Sequence, residues 1–221
     1  MSWNPVTGCL YLCIYCWARQ LALTRLKRHP HYTIHCFNPA LNEKAFSKRF
    51  KPGEWVFVCD MGDLWGSWVP AEWILKVLEY VKGFPNTKFF FLTKNPSRYL
   101  EFLNEITDNV ELGVTIETNR DRGYNTFSKA PSPSSRLKVM GELNWPSKVV
   151  VVEPVLDFDL EEFVEALKQV KPSKVYIGYD NYHHRLPEPP LQKAESLVNQ
   201  LKTFTTVHTK VLRQAWYEKA G

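Results

Sequence analysis

The chain has 221 residues, 44% of them hydrophobic, and a formal net charge of +5. That length and composition suit one compact domain over 1–221 with its own core, and exclude a disordered tail. No apolar run approaches membrane-spanning length, and the start of the chain lacks the basic and apolar stretches of a signal peptide, which points to a cytoplasmic protein with no membrane partner.

Residues 2–7 read as a short strand ahead of a cysteine-rich loop, and a helix is expected over about 16–26. Residues 27–53 form an insertion, with strand-like alternation in YTIHCF (32–37). From residue 54 the pattern becomes regular. EWVFVCD (54–60) reads as a strand, and Trp73, Ile74, Val77, Leu78 and Val81 make one apolar helical face over 71–82. KFFFLTK (88–94) is the next strand, with Asn95 as a cap and Pro96 in the first turn of a helix reaching Ile106. VELGVTI (110–116) follows, then a loop over about 118–135 rich in Ser, Pro, Asn and Gly, then a helix from Arg136 to Leu143. KVVVVEP (148–154) precedes a helix marked by Leu160, Phe163, Val164, Leu167 and Val170. KVYIGYD (174–180) precedes a last helix marked by Leu191, Ala194, Leu197, Val198 and Leu201.

Near-continuous apolar strands alternating with amphipathic helices are the pattern of a parallel sheet in an α/β fold. Five such units are regular, and the N-terminal strand makes a sixth. The expectation is a partial (β/α)6 barrel of parallel strands with helices outside, since the chain is too short for eight units.

Three of the five cysteines, Cys9, Cys13 and Cys16, stand in a CxxxCxxC pattern at the mouth of the first helix. Five cysteines cannot all pair, and such clustering suits metal or cluster ligation better than disulfides. Thiolates are soft ligands for iron–sulfur clusters or zinc. Three of them around a cubane leave one iron open for a substrate. A structural zinc site normally closes with four ligands, for which His29, His31, His35 or Cys36 would supply one.

CLYLCIYC (9–16), with Tyr15 before the last cysteine, resembles the signature of the radical S-adenosylmethionine superfamily. WNPVTGC, MGDLW, FLTKNP, GVTIET and VEP, in that order, are similar to a small branch encoded by phages, bacteria and archaea. More distantly, the layout resembles spore photoproduct lyases, a DNA-repair branch. The resemblance implies a 4Fe–4S cluster on the three cysteines and S-adenosylmethionine at its open iron. It also implies an electron donor such as flavodoxin or ferredoxin, and a partner protein closing the open side. Cleavage of the sulfonium would yield a 5′-deoxyadenosyl radical that takes hydrogen from a substrate.

Reactive groups of β/α barrels sit at the C-terminal ends of strands. Here those ends carry Asp60 and Asp63, Thr93 and Lys94, Thr115 and Glu117, Glu153, and Asp180. Each alone also suits a helix cap or a solvated position. By resemblance, Lys94 grips the cofactor carboxylate, while Thr115 and Glu117 bond its amino-acid or ribose part. Tyr15 and the backbone around Gly178 meet the adenine. CDMGD (59–63) replaces the superfamily's glycine-rich segment and puts Asp60 and Met61 near the amino group. Cys59 occupies the position of a hydrogen-atom donor, although a free cysteine there also suits a small core residue. His183, His184 and the basic clusters at 25–28 and 48–51 read as solvated surface or as contacts to an anionic partner. The function expected is a radical enzyme acting on a nucleic acid or nucleotide, with a peptide as the next choice. The alternative is a non-catalytic zinc or iron–sulfur module stabilising a nucleic-acid-binding domain.

Overall fold

The computed structural model describes residues 1–218. It divides into two compact units, Met1–Leu112 and Gly113 onward.

The first unit opens with β1 (Ser2–Trp3) and β2 (Val6–Thr7), separated by Pro5, so the expected single strand over 2–7 is two. The helices α1 (Trp17–Leu23) and α2 (Pro30–His35) follow, then β3 (Ala40–Leu41), which pairs antiparallel with β2. β4 (Trp55–Val58), α3 (Ala71–Lys82), β5 (Lys88–Thr93), α4 (Ser97–Glu101) and the start of β6 (Val110–Thr115) complete it. Its main strand order is β1-β4-β5-β6, with Ser2 opposite Phe57 and Trp55 opposite Lys88 in parallel register. Trp3 is buried against Phe46, Phe50, Tyr80 and Phe89, and its indole N–H donates to the Ala45 carbonyl at 2.9 Å. That contact satisfies the one polar atom of a large apolar group and fixes the chain entry under the sheet.

The second unit continues β6 and adds α5 (Pro133–Glu142), β7 (Lys148–Val152), α6 (Leu160–Val170), β8 (Lys174–Ile177), α7 (Leu191–Leu201) and β9 (Thr206–Thr209). Its strand order is β6-β7-β8-β9, with β7 and β8, and β8 and β9, paired parallel. Every residue of β7 is buried, as a strand covered on both faces requires. The fold class is the expected α/β one. Six parallel strands are each followed by helix, and the strand order is linear rather than closed on itself.

Several elements differ from expectation for local reasons. YTIHCF lies largely in α2: Pro30 occupies the first turn, and His29 Nδ1 accepts from the His31 N–H at 3.3 Å, a cap that starts a helix. Asn95 does not cap α4. Its side-chain amide donates to the Trp65 carbonyl, Pro96 takes the cap position, and the helix breaks at Phe102 into a 3-10 turn at Leu103–Glu105. α5 starts at Pro133, three residues early, because Ser132 Oγ accepts from the Ser135 N–H. β9 was not expected at all.

Candidate functional site

The cysteine loop is set by close backbone contacts. Gly8 has φ +83°, and a Cβ there would lie 2.3 Å from the Asn38 carbonyl oxygen, so only glycine fits. Gly8 N–H donates to the Met61 carbonyl at 2.9 Å, and a Cβ on Gly62 would meet Gly8 backbone at 2.8 Å. The loop is thereby laid directly on the 59–63 turn that follows β4. Cys9 N–H donates to Phe37 O, Cys16 N–H to Cys13 O, and Cys16 caps α1. Leu12, between them, has φ +51°, strained for a leucine.

The thiols bear on one another electrically. Burial pushes the Cys9 thiol well above its usual value; Asp63, Cys13 and Cys16 push it further, against a 3.5 Å hydrogen bond from the Tyr11 N–H to its sulfur. Burial also raises Cys16, with Cys13 adding to the rise, while the Arg19 N–H at 3.4 Å and the Lys94 charge oppose it. Cys9 and Cys16 pack on a small core of Ala18, Ala22, Tyr32, Phe37 and Met61. Among the described residues, no three His, Cys, Asp or Glu side chains converge closely enough to hold one metal ion. All five cysteines are unpaired.

Of the expected site residues in this unit, the structure brings Tyr15 and Lys94 together. Lys94 Nζ lies 3.4 Å from the Tyr15 hydroxyl and 5.3 Å from its ring centre. The Lys94 backbone is fixed by Asp63, whose buried carboxylate accepts from the Lys94 N–H (3.0 Å), the Thr93 hydroxyl (2.7 Å) and the Trp65 N–H (3.0 Å). Burial raises the Asp63 carboxyl, and those three donors pull against the rise. Asp60 accepts from Ser2 Oγ at 2.5 Å and Asn4 Nδ2 at 2.7 Å, and Asn4 Oδ1 accepts the Met61 N–H. Cys59 is 3% exposed with φ +60°, and burial drives its thiol pKa strongly upward. Asn4 was missed as a site residue; WNP in the sequence shows an asparagine ahead of a proline, not which turn it holds.

In the second unit, Glu117 is fully buried and accepts from Arg136 Nη2 at 2.9 Å and the Tyr124 hydroxyl at 3.1 Å. Arg136 also donates to the Thr115 carbonyl and stacks 4.9 Å from the Tyr124 ring centre. Gly178 donates to Val152 O and accepts from Val155 N–H, and a Cβ on it would meet Lys210 Cβ at 3.1 Å and Glu153 Oε1 at 3.3 Å. Glu153 pairs with Lys210 at 2.6 Å. Asp180 accepts from the Tyr182 and His184 N–H groups and lies 2.9 Å from His184 Nδ1. Arg136 and Tyr124 were not singled out from the sequence. An arginine on a helix reads as solvated unless its buried partner is known.

No helix among the described residues is long and apolar enough to cross a membrane. The fold is that of several solved structures. A mutant of spore photoproduct lyase with dinucleoside spore photoproduct matches with a TM-score of 0.66 at 12% identity, over 93% of this chain and 75% of that one. A double mutant of the lyase with bound AdoMet and dinucleoside spore photoproduct matches with a TM-score of 0.61 at 14% identity, over 92% and 61%. Streptococcus suis SuiB bound to S-adenosylmethionine matches with a TM-score of 0.57 at 9% identity, over 95% of this chain and 46% of SuiB. No curated protein matches the chain. A family model described as "Protein of unknown function (DUF5131)" matches residues 1–161, and the chain belongs to that family.

Proposed function

We propose that this protein is a radical S-adenosylmethionine enzyme, with a 4Fe–4S cluster held by Cys9, Cys13 and Cys16. The observation that carries the reading is the grouping of three thiols on one loop and one helix cap, within electrostatic reach of one another. Its support from outside the chain is a fold shared with proteins solved with S-adenosylmethionine.

The donor set fits such a cluster. Buried thiols whose pKa values are raised lose protons readily only to a cation, and iron is one that thiolates prefer. The Tyr11 and Arg19 N–H groups already point at two of the sulfurs. A cubane takes each thiolate at a different iron, so its ligands need not converge on one point as those of a single zinc ion must. When bound, the cluster and S-adenosylmethionine supply one-electron reductive cleavage to methionine and a 5′-deoxyadenosyl radical, which abstracts hydrogen from the substrate.

The chain's own residues have distinct parts. Lys94, with its backbone tied by Asp63 and its ammonium beside Tyr15, offers a positive charge to the cofactor carboxylate. Tyr15 offers a ring face to adenine, and Asp60 and Met61 border the same turn. Thr115 and Gly178 are proposed as further cofactor contacts, while Glu117, engaged by Arg136, holds the end of β6. Burial keeps the Cys59 thiol protonated, so it carries a hydrogen atom to give. In that role its S–H bond breaks as a substrate C–H bond forms, and the thiyl radical is restored by an electron from the reductant and a proton. The substrate class we favour is a nucleic acid or nucleotide, which the lyase's dinucleoside ligand supports through likeness of fold. Unpaired cysteines suit a reducing cytoplasm.

Anaerobic reconstitution tests the reading. The wild-type protein should turn brown, bind about four irons per chain and release 5′-deoxyadenosine with dithionite and S-adenosylmethionine. Cys13→Ala should lose the colour and the release. Colourless protein binding one zinc would refute it. Cys59→Ala should keep both and change only the fate of the substrate radical.

A further inference from the structure

Residues 1–42 contain no aspartate or glutamate, and their four basic residues, Arg19, Arg25, Lys27 and Arg28, account for four of the chain's net charge of +5. All four are exposed, and none takes part in an ion pair. Elsewhere, exposed cations are regularly neutralised: Lys76 by Glu43, Arg120 by Asp157 and Asp159, and Lys210 by Glu153.

The same stretch concentrates exposed apolar side chains. Leu10, Leu12, Ile14, Trp17, Leu23 and Ile34 are all exposed, Ile34 at 74%. The loop, α1 and α2 share one small core through Cys9, Cys16, Ala18, Ala22 and Tyr32, so their outward side chains form one local surface around the thiols. Scattered exposed apolar residues are ordinary, but a cluster rimmed by uncompensated charge of one sign marks an interaction face.

The occupant is narrowed by chemistry. Aliphatic side chains outnumber the one aromatic, which argues against base stacking by single-stranded nucleic acid. α1 has seven residues and α2 six, too short to present the long amphipathic face that lies in a lipid surface. An apolar patch with a cationic margin complements an acidic protein that has apolar groups at its contact centre. We propose that this surface docks an acidic one-electron carrier protein. The proposal rests on the reading of Cys9, Cys13 and Cys16 as cluster ligands, because reductive cleavage consumes one electron, which the carrier supplies by its own one-electron oxidation.

An acidic flavodoxin, fluorescently labelled, is the probe. Its binding to the reconstituted protein should saturate, weaken as salt rises, and fall about tenfold in affinity for Arg25→Glu/Arg28→Glu. The variant should release 5′-deoxyadenosine at the wild-type rate with dithionite and more slowly with reduced flavodoxin. Unchanged flavodoxin affinity in the variant overturns the proposal. So does charge-dependent binding to phosphatidylserine vesicles or a single-stranded oligonucleotide without saturable flavodoxin binding. If flavodoxin binding depends on these arginines but dithionite releases no 5′-deoxyadenosine, the docking face stands and the catalytic reading fails.

Discussion

Gly8 and Gly53 have nearly the same backbone conformation, φ +83° and +81°, in very different surroundings. A side chain in the left-handed region costs about 1–2 kcal/mol at either position. At Gly53 nothing lies within 4 Å of the added Cβ, so Gly53→Ala should cost only that. At Gly8 the methyl group would sit 2.3 Å from Asn38 O and 2.7 Å from Pro39 N, both backbone atoms that no rotamer change can move. Relief needs a shift of about 1 Å in the loop, and overpacking of this kind adds about 1–3 kcal/mol. Gly8→Ala should therefore lose about 2–5 kcal/mol, read as a lower urea midpoint at constant m-value. Because Gly8 directly precedes Cys9, that shift also displaces the first thiol, and iron bound after reconstitution should fall in Gly8→Ala but not in Gly53→Ala. Equal stability and equal iron in the two variants would refute the claim that this contact positions the loop.

Arg136→Met leaves the Glu117 carboxylate buried without its cation, and should cost about 3–5 kcal/mol in urea unfolding; a loss below about 1 kcal/mol would show the pair behaves as if exposed. The Asp180 carboxyl offers a pH test: burial alone would raise it, but the His184 and Tyr182 donors carry it below its usual value. Its folded pKa is thus lower than its unfolded one, so its stabilisation is present above the unfolded value and is lost as pH falls through the folded one. The stability gap between wild type and Asp180→Asn should be larger at pH 7 than at strongly acid pH, and a gap that widens on acidification would reverse the assignment.

The regular part of the fold was legible because burial on one face leaves a period in the sequence. α3 runs from Ala71 to Lys82 as its apolar spacing requires, with Ile74, Val77, Leu78 and Val81 buried. α2 was misread because Tyr32, Ile34 and Cys36 alternate as in a strand, yet only Tyr32 of the helix is buried, so the alternation records no sheet face. There the local cap and Pro30 decide. β9 carries Thr, Val, His and Thr with none buried; it is held by main-chain pairing to β8, which leaves no apolar signature.

Site residues divide by how far their partners lie along the chain. Three cysteines within eight positions announce their chemistry locally, because a ligand set is defined by residue type and spacing. Carboxylates at the strand ends announce only themselves. Asp63 takes Thr93 from 30 positions away, Asp60 takes Asn4 from 56, and Glu117 takes Arg136 from 19. Glu153 and Asp180 are likewise engaged, by Lys210 and His184. Backbone N–H groups leaving a strand end need acceptors, and a carboxylate that accepts them must give up solvent. Each of these acids is therefore answered within its own unit, and its first task is to fix the loop that follows its strand. Recognition of a carboxylate-bearing cofactor then falls on a cation at such a loop, and in the first unit Lys94, whose backbone Asp63 holds beside Tyr15, answers that description.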